Sequence, residues 1–302
     1  MSRRREARAR PDPRSADFVL PWSPPGRIVT VAGRGEFFVR LHEHPDPDAP
    51  WLVLLHGWTA SSDLQFFTAY RALAERFSFV GIDHRGHGRG LRTNTPFRLA
   101  DAADDAAAVL AELQVDRAIA VGYSMGGPIA MLFARRHPTA VSGLVVQATA
   151  LEWHHARRDR LTWYGLPLLG ASLRSWWFPR YMSKAVARVV PVGHELEVYL
   201  PWILGEVQRG STHAIVEAGK ELRHHDATDW AGGLGVPAGC LITTRDRLVR
   251  PRKQRALAAA LGATVRELSV DHFVSMSDPG DYAEATVELV AEVAEAARAR
   301  ST

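Results

Sequence analysis

A serine set among glycines, Gly122-Tyr123-Ser124-Met125-Gly126-Gly127, lies between an apolar run, Ala118 to Val121, and a helix-like run, Ile129 to Ala134. Strand, abrupt turn and helix in that order, with serine at the apex, form the Gly-x-Ser-x-Gly nucleophile elbow. Such a turn holds the serine in a strained backbone conformation, with its hydroxyl clear of the chain. Strand and helix then pass so closely that side chains two residues before and after the serine would collide. Gly122 and Gly126 remove that clash. The plain alternative is a chance match in a chain of 24 glycines. The strand–turn–helix context argues against it.

Serine alone is a weak nucleophile. It needs a base, a group that orients the base, and donors for a developing oxyanion. Cys240 to Thr244 reads as a strand, and Asp246 follows its carboxyl end, where open α/β sheets gather their chemistry. Thr264 to Leu268 reads as the next strand, and the loop beyond it carries His272. Upstream, the strand Trp51 to Leu55 runs into His56-Gly57-Trp58-Thr59. The backbone N–H groups of Trp58 and Met125 are the candidate oxyanion donors, with the Trp58 indole lining the pocket rather than donating a proton. Together these parts predict two-step acyl transfer that needs no cofactor.

The chain resembles capped serine hydrolases of the α/β-hydrolase fold family, esterase or lipase-like in type. The resemblance rests on His56-Gly57, on Asp83-His84-Arg85-Gly86-His87-Gly88, on the serine turn, and on Asp246 and His272. It covers about residues 28 to 148 and 236 to 298. It implies an α/β fold with a doubly wound, mostly parallel sheet and an inserted helical cap. It also implies the chain order Ser124, Asp246, His272 for a catalytic triad, and a mainly structural role for the Asp-x-Arg-Gly-x-Gly turn. One departure stands out: glycine usually precedes the family histidine, and here Asp271 does. Asp246 is preferred as the partner of His272, because adjacent loop residues rarely share the orientation an acid–histidine pair needs.

The elements that must position these residues follow an alternating pattern. A hairpin is expected around Ile28–Val31 and Phe37–Leu41, a helix over 64–76 and a strand over 79–82. A helix over 99–113 and a strand over 141–147 follow, then a helix over 254–261 and a closing helix over about 279–300. Residues 18–149 and 234–302 are the predicted core, and 150–233, where the alternation stops, the predicted helical cap. Six of the nine tryptophans fall in that insertion: Trp153, Trp163, Trp176, Trp177, Trp202 and Trp230. Some must hold the cap together. Trp153, Trp163 and Trp177, with Trp58 and Tyr123, are the candidate substrate-binding residues, and they imply a small-molecule ester with an apolar acyl or alcohol group.

Composition limits the alternatives. Of the formal charge of +4, residues 1–17 account for +3, with six arginines against three acids. The remaining body is nearly neutral, so no nucleic-acid footprint is indicated. Residues 1–17 read as a disordered tail, without the apolar core of a secretory signal. The single cysteine, Cys240, reads as a core thiol, and one cysteine allows no intrachain disulfide, which fits a cytoplasmic setting. A basic stretch from Arg157 to Arg188 allows a membrane-surface contact, but a solvated helix face is preferred because no amphipathic period marks it. The pairs His154-His155 and His224-His225 lack metal-ligand spacing, so no metal is expected. Oligomeric state is not legible. Serine at the elbow, rather than aspartate, argues against epoxide hydrolases and haloalkane dehalogenases. Carbon–carbon bond hydrolysis, perhydrolysis on the same triad, and ligand binding with little turnover remain as alternatives.

Overall fold

The computed structural model describes residues 21–154, 186, 188–190 and 193–300. The expected tail 1–17, most of the basic stretch, His155, Trp163, Trp176 and Trp177 lie outside the described residues.

Eight strands make one sheet. They are β1 (Gly26–Val31), β2 (Gly35–His42), β3 (Trp51–Leu55), β4 (Ser78–Ile82), β5 (Ala118–Tyr123), β6 (Val141–Gln147), β7 (Ala238–Thr243) and β8 (Thr264–Leu268), in the order β1-β2-β4-β3-β5-β6-β7-β8. The hairpin β1–β2 and the pair β2–β4 are antiparallel, and every other pair is parallel. All residues of β4, β5 and β7 are buried, because helices cover both faces of the sheet. Alternate residues of β3 feed the two core layers. Val53 and Leu55 pack with Leu110 of α3 (Leu99–Glu112), Ile129 of α4 (Gly126–Arg136) and Leu257. Leu52 and Leu54 pack with Tyr70, Tyr282 and Leu289 on the other side.

The expected helix over 64–76 is two short ones, α1 (Ser62–Phe66) and α2 (Tyr70–Ala74). The Ser61 side chain caps α1 by accepting the Leu64 N–H. The break falls beside Thr68, whose hydroxyl donates to the Ser275 carbonyl at 3.0 Å.

Between β6 and β7 the described chain carries α5 (Leu200–Val207) and α6 (Thr212–His224). This segment leaves and returns at one place. Glu152 and Asp226 form an isolated antiparallel bridge, and the Ala227 N–H donates to the Leu151 carbonyl at 2.9 Å. The chain then completes the second half of the sheet with α7 (Pro251–Leu261), α8 (Val274–Ser277) and α9 (Pro279–Ala299). No described helix is long and apolar enough to cross a membrane.

Candidate active site

The parallel strands deliver their loops to one edge of the sheet. Ser124 follows β5 with φ +50°, a left-handed conformation costly for any side-chain-bearing residue. Two glycines make the turn possible. A Cβ on Gly122 would stand 2.2 Å from the Gly126 carbonyl oxygen, the strand–helix clash expected from the spacing. A Cβ on Gly126 would stand 1.9 Å from the Leu55 carbonyl oxygen. The second glycine therefore makes room for the neighbouring strand β3 rather than for β5. The Ser124 N–H donates to the Gln147 carbonyl at 2.9 Å, tying the turn to β6.

His272 Nε2 lies 3.0 Å from Ser124 Oγ, and His272 Nδ1 lies 2.7 Å from Asp246 Oδ2. The two elements that bring them there are the loops after β7 and β8. The Tyr123 hydroxyl donates to the His272 carbonyl at 2.7 Å and holds the second loop in place. Burial raises the Tyr123 phenol well above its ordinary range, so it stays a donor. Asp246 is buried and richly held. Its Oδ1 accepts the Leu248 and Val249 N–H groups at 2.8 and 2.9 Å. Its Oδ2 accepts the Thr243 hydroxyl at 2.9 Å and Gln254 Nε2 at 3.2 Å. With Asp246 as acceptor, the imidazole proton sits on Nδ1, and Nε2 is left to accept from the Ser124 hydroxyl. Asp271 faces elsewhere: it is exposed, and its Oδ1 accepts the Phe273 N–H at 2.8 Å. The carboxylate beside His272 in space is Asp246.

Gln254 has no counterpart in the sequence reading. Wholly buried in α7, it accepts the Thr243 N–H at 2.9 Å and donates to the Val249 carbonyl at 2.7 Å, besides its bond to Asp246. It thus joins the end of β7 to the aspartate loop. Only its place in the first turn of the helix that opens at Arg250-Pro251 could have suggested it, and amides are common there.

On the other side of Ser124 stands the loop after β3. Thr59 adopts φ +63°, a strained conformation for a β-branched residue. The Trp58 indole lines the cavity and also donates to the Ile215 carbonyl of α6 at 2.7 Å, a donor role the sequence reading did not give it. Met125 is buried at the start of α4, where the first N–H groups of a helix have no intrahelical acceptor.

The Asp83–Gly88 turn after β4 props this loop from below. The His84 N–H donates to His56 Nε2 at 3.0 Å, and His56 Nδ1 contacts the Gly57 carbonyl at 2.8 Å. Burial pushes the His56 imidazole well below its ordinary range, His84 down to about 3 and His87 down to about 4, so all three are neutral struts. Asp83 accepts the Ser62 and Arg89 N–H groups, each at 2.7 Å, and burial raises its carboxyl to about 6. Arg89 also grips the buried Glu206 of α5 at 2.6 and 3.1 Å, and Ser61 Oγ donates to the same carboxylate at 3.1 Å. The Ser211 N–H donates to the Gly86 carbonyl at 2.8 Å.

A cavity of about 180 Å³ opens over Ser124 and His272. Trp58, Leu64, Val186, Val189, Val207 and Met276 form its apolar wall. Tyr123 also lines it. Trp153 does not; it packs against the core layer that holds α4. Trp202 stacks edge-on against Phe67 at 5.0 Å, and Trp230 lies under Arg135. The insertion's described contribution to the cavity is therefore aliphatic, and its described tryptophans serve packing. Trp163 and Trp177 lie outside the described residues. Cys240 is a buried thiol raised to about 12 by burial. Among the described residues, no three His, Cys, Asp or Glu side chains gather as metal ligands.

A family profile for the alpha/beta hydrolase fold matches residues 50–187. The chain is 26% identical over 226 residues to the AB hydrolase superfamily protein YisY of Bacillus subtilis, covering 74% of this chain and 82% of that protein. It is 30% identical over 237 residues to a pimeloyl-(acyl-carrier protein) methyl ester esterase of Stenotrophomonas maltophilia, covering 74% of this chain and 85% of that protein. Among solved structures, an esterase from Exiguobacterium antarcticum matches with a TM-score of 0.75 at 20% identity, over 88% of this chain and 100% of that one, a likeness of fold. With its eight-stranded sheet and its loops gathered at one sheet edge, the chain belongs to the α/β-hydrolase fold family.

Proposed function

We propose that this hydrolase cleaves carboxylic esters through an acyl-enzyme on Ser124, without a cofactor. The observation that carries the reading is the unbroken hydrogen-bond chain from Ser124 through His272 to Asp246, at 3.0 and 2.7 Å. His272 Nε2 takes the hydroxyl proton as Ser124 Oγ attacks the ester carbonyl. Asp246 stabilises the resulting imidazolium and keeps its tautomer. The Trp58 and Met125 N–H groups hold the oxyanion. His272 returns its proton to the leaving alcohol, and water activated by the same nitrogen releases the acid. Residues 150–233 act as a helical cap, and the apolar part of a small ester lies against Val186, Val189 and Val207. The relative named as a methyl ester esterase and the esterase of similar fold support the reaction class.

Two measurements on the whole protein test this. Ser124→Ala should lower kcat on p-nitrophenyl esters by about a thousandfold or more with the thermal melt retained. A fluorophosphonate probe should label Ser124 and no other residue. Labelling elsewhere, or binding of esters without turnover, would overturn the proposal.

A further inference from the structure

We infer that the cavity beside Ser124 is built for an uncharged acyl chain carrying a hydrogen-bonding oxygen, read by Gln65 together with Ser275. The inference rests on the ester reading above and adds a substrate class to it. Outside Ser124, His272, Thr59 and Tyr123, whose hydroxyl is committed to the His272 carbonyl, Gln65 and Ser275 are the polar side chains among the described lining residues. They come from two elements that meet beside the serine: Gln65 from α1, after the Trp58 loop, and Ser275 from α8, after the His272 loop. Both are buried, at 7% and 3% exposure, beside the apolar Leu64 and Met276.

Gln65 also flanks the serine closely. Its Oε1 lies 3.2 Å, and the Ser124 Cβ 3.4 Å, from the point where a Cβ on Gly57 would stand. Only the bare glycine separates the carboxamide from the reacting residue. An acyl chain on Ser124 that turns into the cavity therefore passes the amide within its first few carbons.

The amide oxygen has hydrogen-bonding capacity to spare. A carboxamide offers two donors and two acceptor lone pairs. The bond from Gln65 Nε2 to Ser275 Oγ spans 3.4 Å, at the weak limit for such contacts. The neighbouring Tyr282 gives its hydroxyl proton to Gln147 Oε1 at 3.1 Å and faces the Gln65 amide as an acceptor, so the amide N–H groups have partners in Ser275 and Tyr282 while the Gln65 oxygen receives no proton from either. Nor is the Gln65–Ser275 contact needed to hold α8, because Thr68 already bonds the Ser275 carbonyl at 3.0 Å. A plain alkyl chain would cover these groups and strip them of water without replacing its hydrogen bonds. A hydroxyl or oxo group would replace them. The Gln65 oxygen can accept from a hydroxyl and the Ser275 hydroxyl can donate to an oxo group, so both oxygen types suit the pair. The described lining residues supply hydrogen-bonding oxygens and an amide rather than a cation, which matches an uncharged oxygen.

The test compares kcat/KM for p-nitrophenyl butyrate, 3-hydroxybutyrate, pentanoate and 4-oxopentanoate in the parent, Gln65→Leu, Gln65→Met and Ser275→Ala. The parent should favour at least one oxygenated ester over its plain counterpart by about tenfold or more, the equivalent of one well-made hydrogen bond. Gln65→Leu and Gln65→Met should bring that ratio to one or below, and Ser275→Ala should reduce it in part. Thermal melts identify which variants are folded, and the conservative-volume Gln65→Met and the small change Ser275→Ala stand in if Gln65→Leu is not. An enzyme that labels with fluorophosphonate and hydrolyses both members of each pair alike overturns this inference alone. So does a ratio that survives in a folded Gln65 variant. Absence of both labelling and turnover overturns the ester reading and this inference with it.

Discussion

At the scale of single residues, the site depends on which carboxylate holds His272. Asp246 accepts four hydrogen bonds besides the one from the imidazole, whereas Asp271 serves its own loop. Asp246→Asn should lower kcat/KM by about a thousandfold or more, because an amide in that place favours the wrong imidazole tautomer. Asp271→Asn should stay within about threefold. Gln254→Leu should fall between, near tenfold, since it removes one bond to Asp246 without touching His272. Parallel ester kinetics on the three variants check the ranking, and a larger loss for Asp271→Asn than for Asp246→Asn would overturn it. The meeting of Ser124, Asp246 and His272 was legible because Ser124 and Asp246 each follow a short apolar run that reads as a strand and His272 lies in the loop after the next strand, Thr264–Leu268, and strand ends fix where loops go. Gln254 and Gln65 were not. Each is an amide in a helix-forming stretch, and nothing in its neighbours along the chain marks the partner it meets in space.

At the scale of elements, the described tryptophans of the insertion face away from the cavity. The insertion's length and place after β6 were plain from the lost alternation, and the hairpin, the parallel strands and the closing helix all form close to their expected bounds. Counting tryptophans could not say which faces they occupy. Trp153, Trp202 and Trp230 serve packing, and what the described part of the insertion gives the wall over Ser124 is valines. The single helix expected over 64–76 failed for a related reason: its break is set by a bond from Thr68 to α8, a tertiary contact with no local signature. The wall makes a prediction about plain acyl chains. Each methylene buried against it contributes at most about 0.8 kcal/mol, or up to roughly fourfold in kcat/KM. Activity on p-nitrophenyl esters should therefore rise from acetate to butyrate. Val186→Ala, Val189→Ala and Val207→Ala should flatten that rise, while Trp153→Ala should leave its slope unchanged and lower the melting temperature. A slope that moves only in the tryptophan variant would return the wall to the aromatic residues.

Across the folded chain, the buried histidines couple stability to pH. His84 and His87 titrate in the folded chain at about 3 and 4, against an ordinary 6.5, because burial penalises their charged forms, and His56 is lowered by the same cause. The unfolded chain takes up these protons as pH falls through 6.5, and the folded chain does not. The stability they contribute is full above about pH 6.5 and is lost as pH falls towards 4. Asp83 acts in the opposite sense: burial raises it from 3.8 to about 6, so its contribution is lost as pH rises through that window. Three histidines outweigh one carboxyl, and the urea midpoint should fall between pH 6.5 and 4. His84→Leu should flatten the fall by one proton, about 1.4 kcal/mol per pH unit. Urea titrations at several pH values check this, and an unchanged slope in the variant would remove His84 from the account. The meeting of Glu152 with Asp226 has a different consequence. To the strands on either side, everything between those two residues is a loop of almost no span. Loop entropy grows only with the logarithm of length, so this stretch can lengthen or shorten at small entropic cost wherever its bonds to the core through Glu206, Ser211 and Ile215 are kept. The serine turn lies outside it, and so do Gln65 and Ser275. One part of the gene can thus change what meets the valine side of the pocket while another keeps the serine turn, and a graft joined at this seam should carry the partners of Arg89, Gly86 and Trp58 with it.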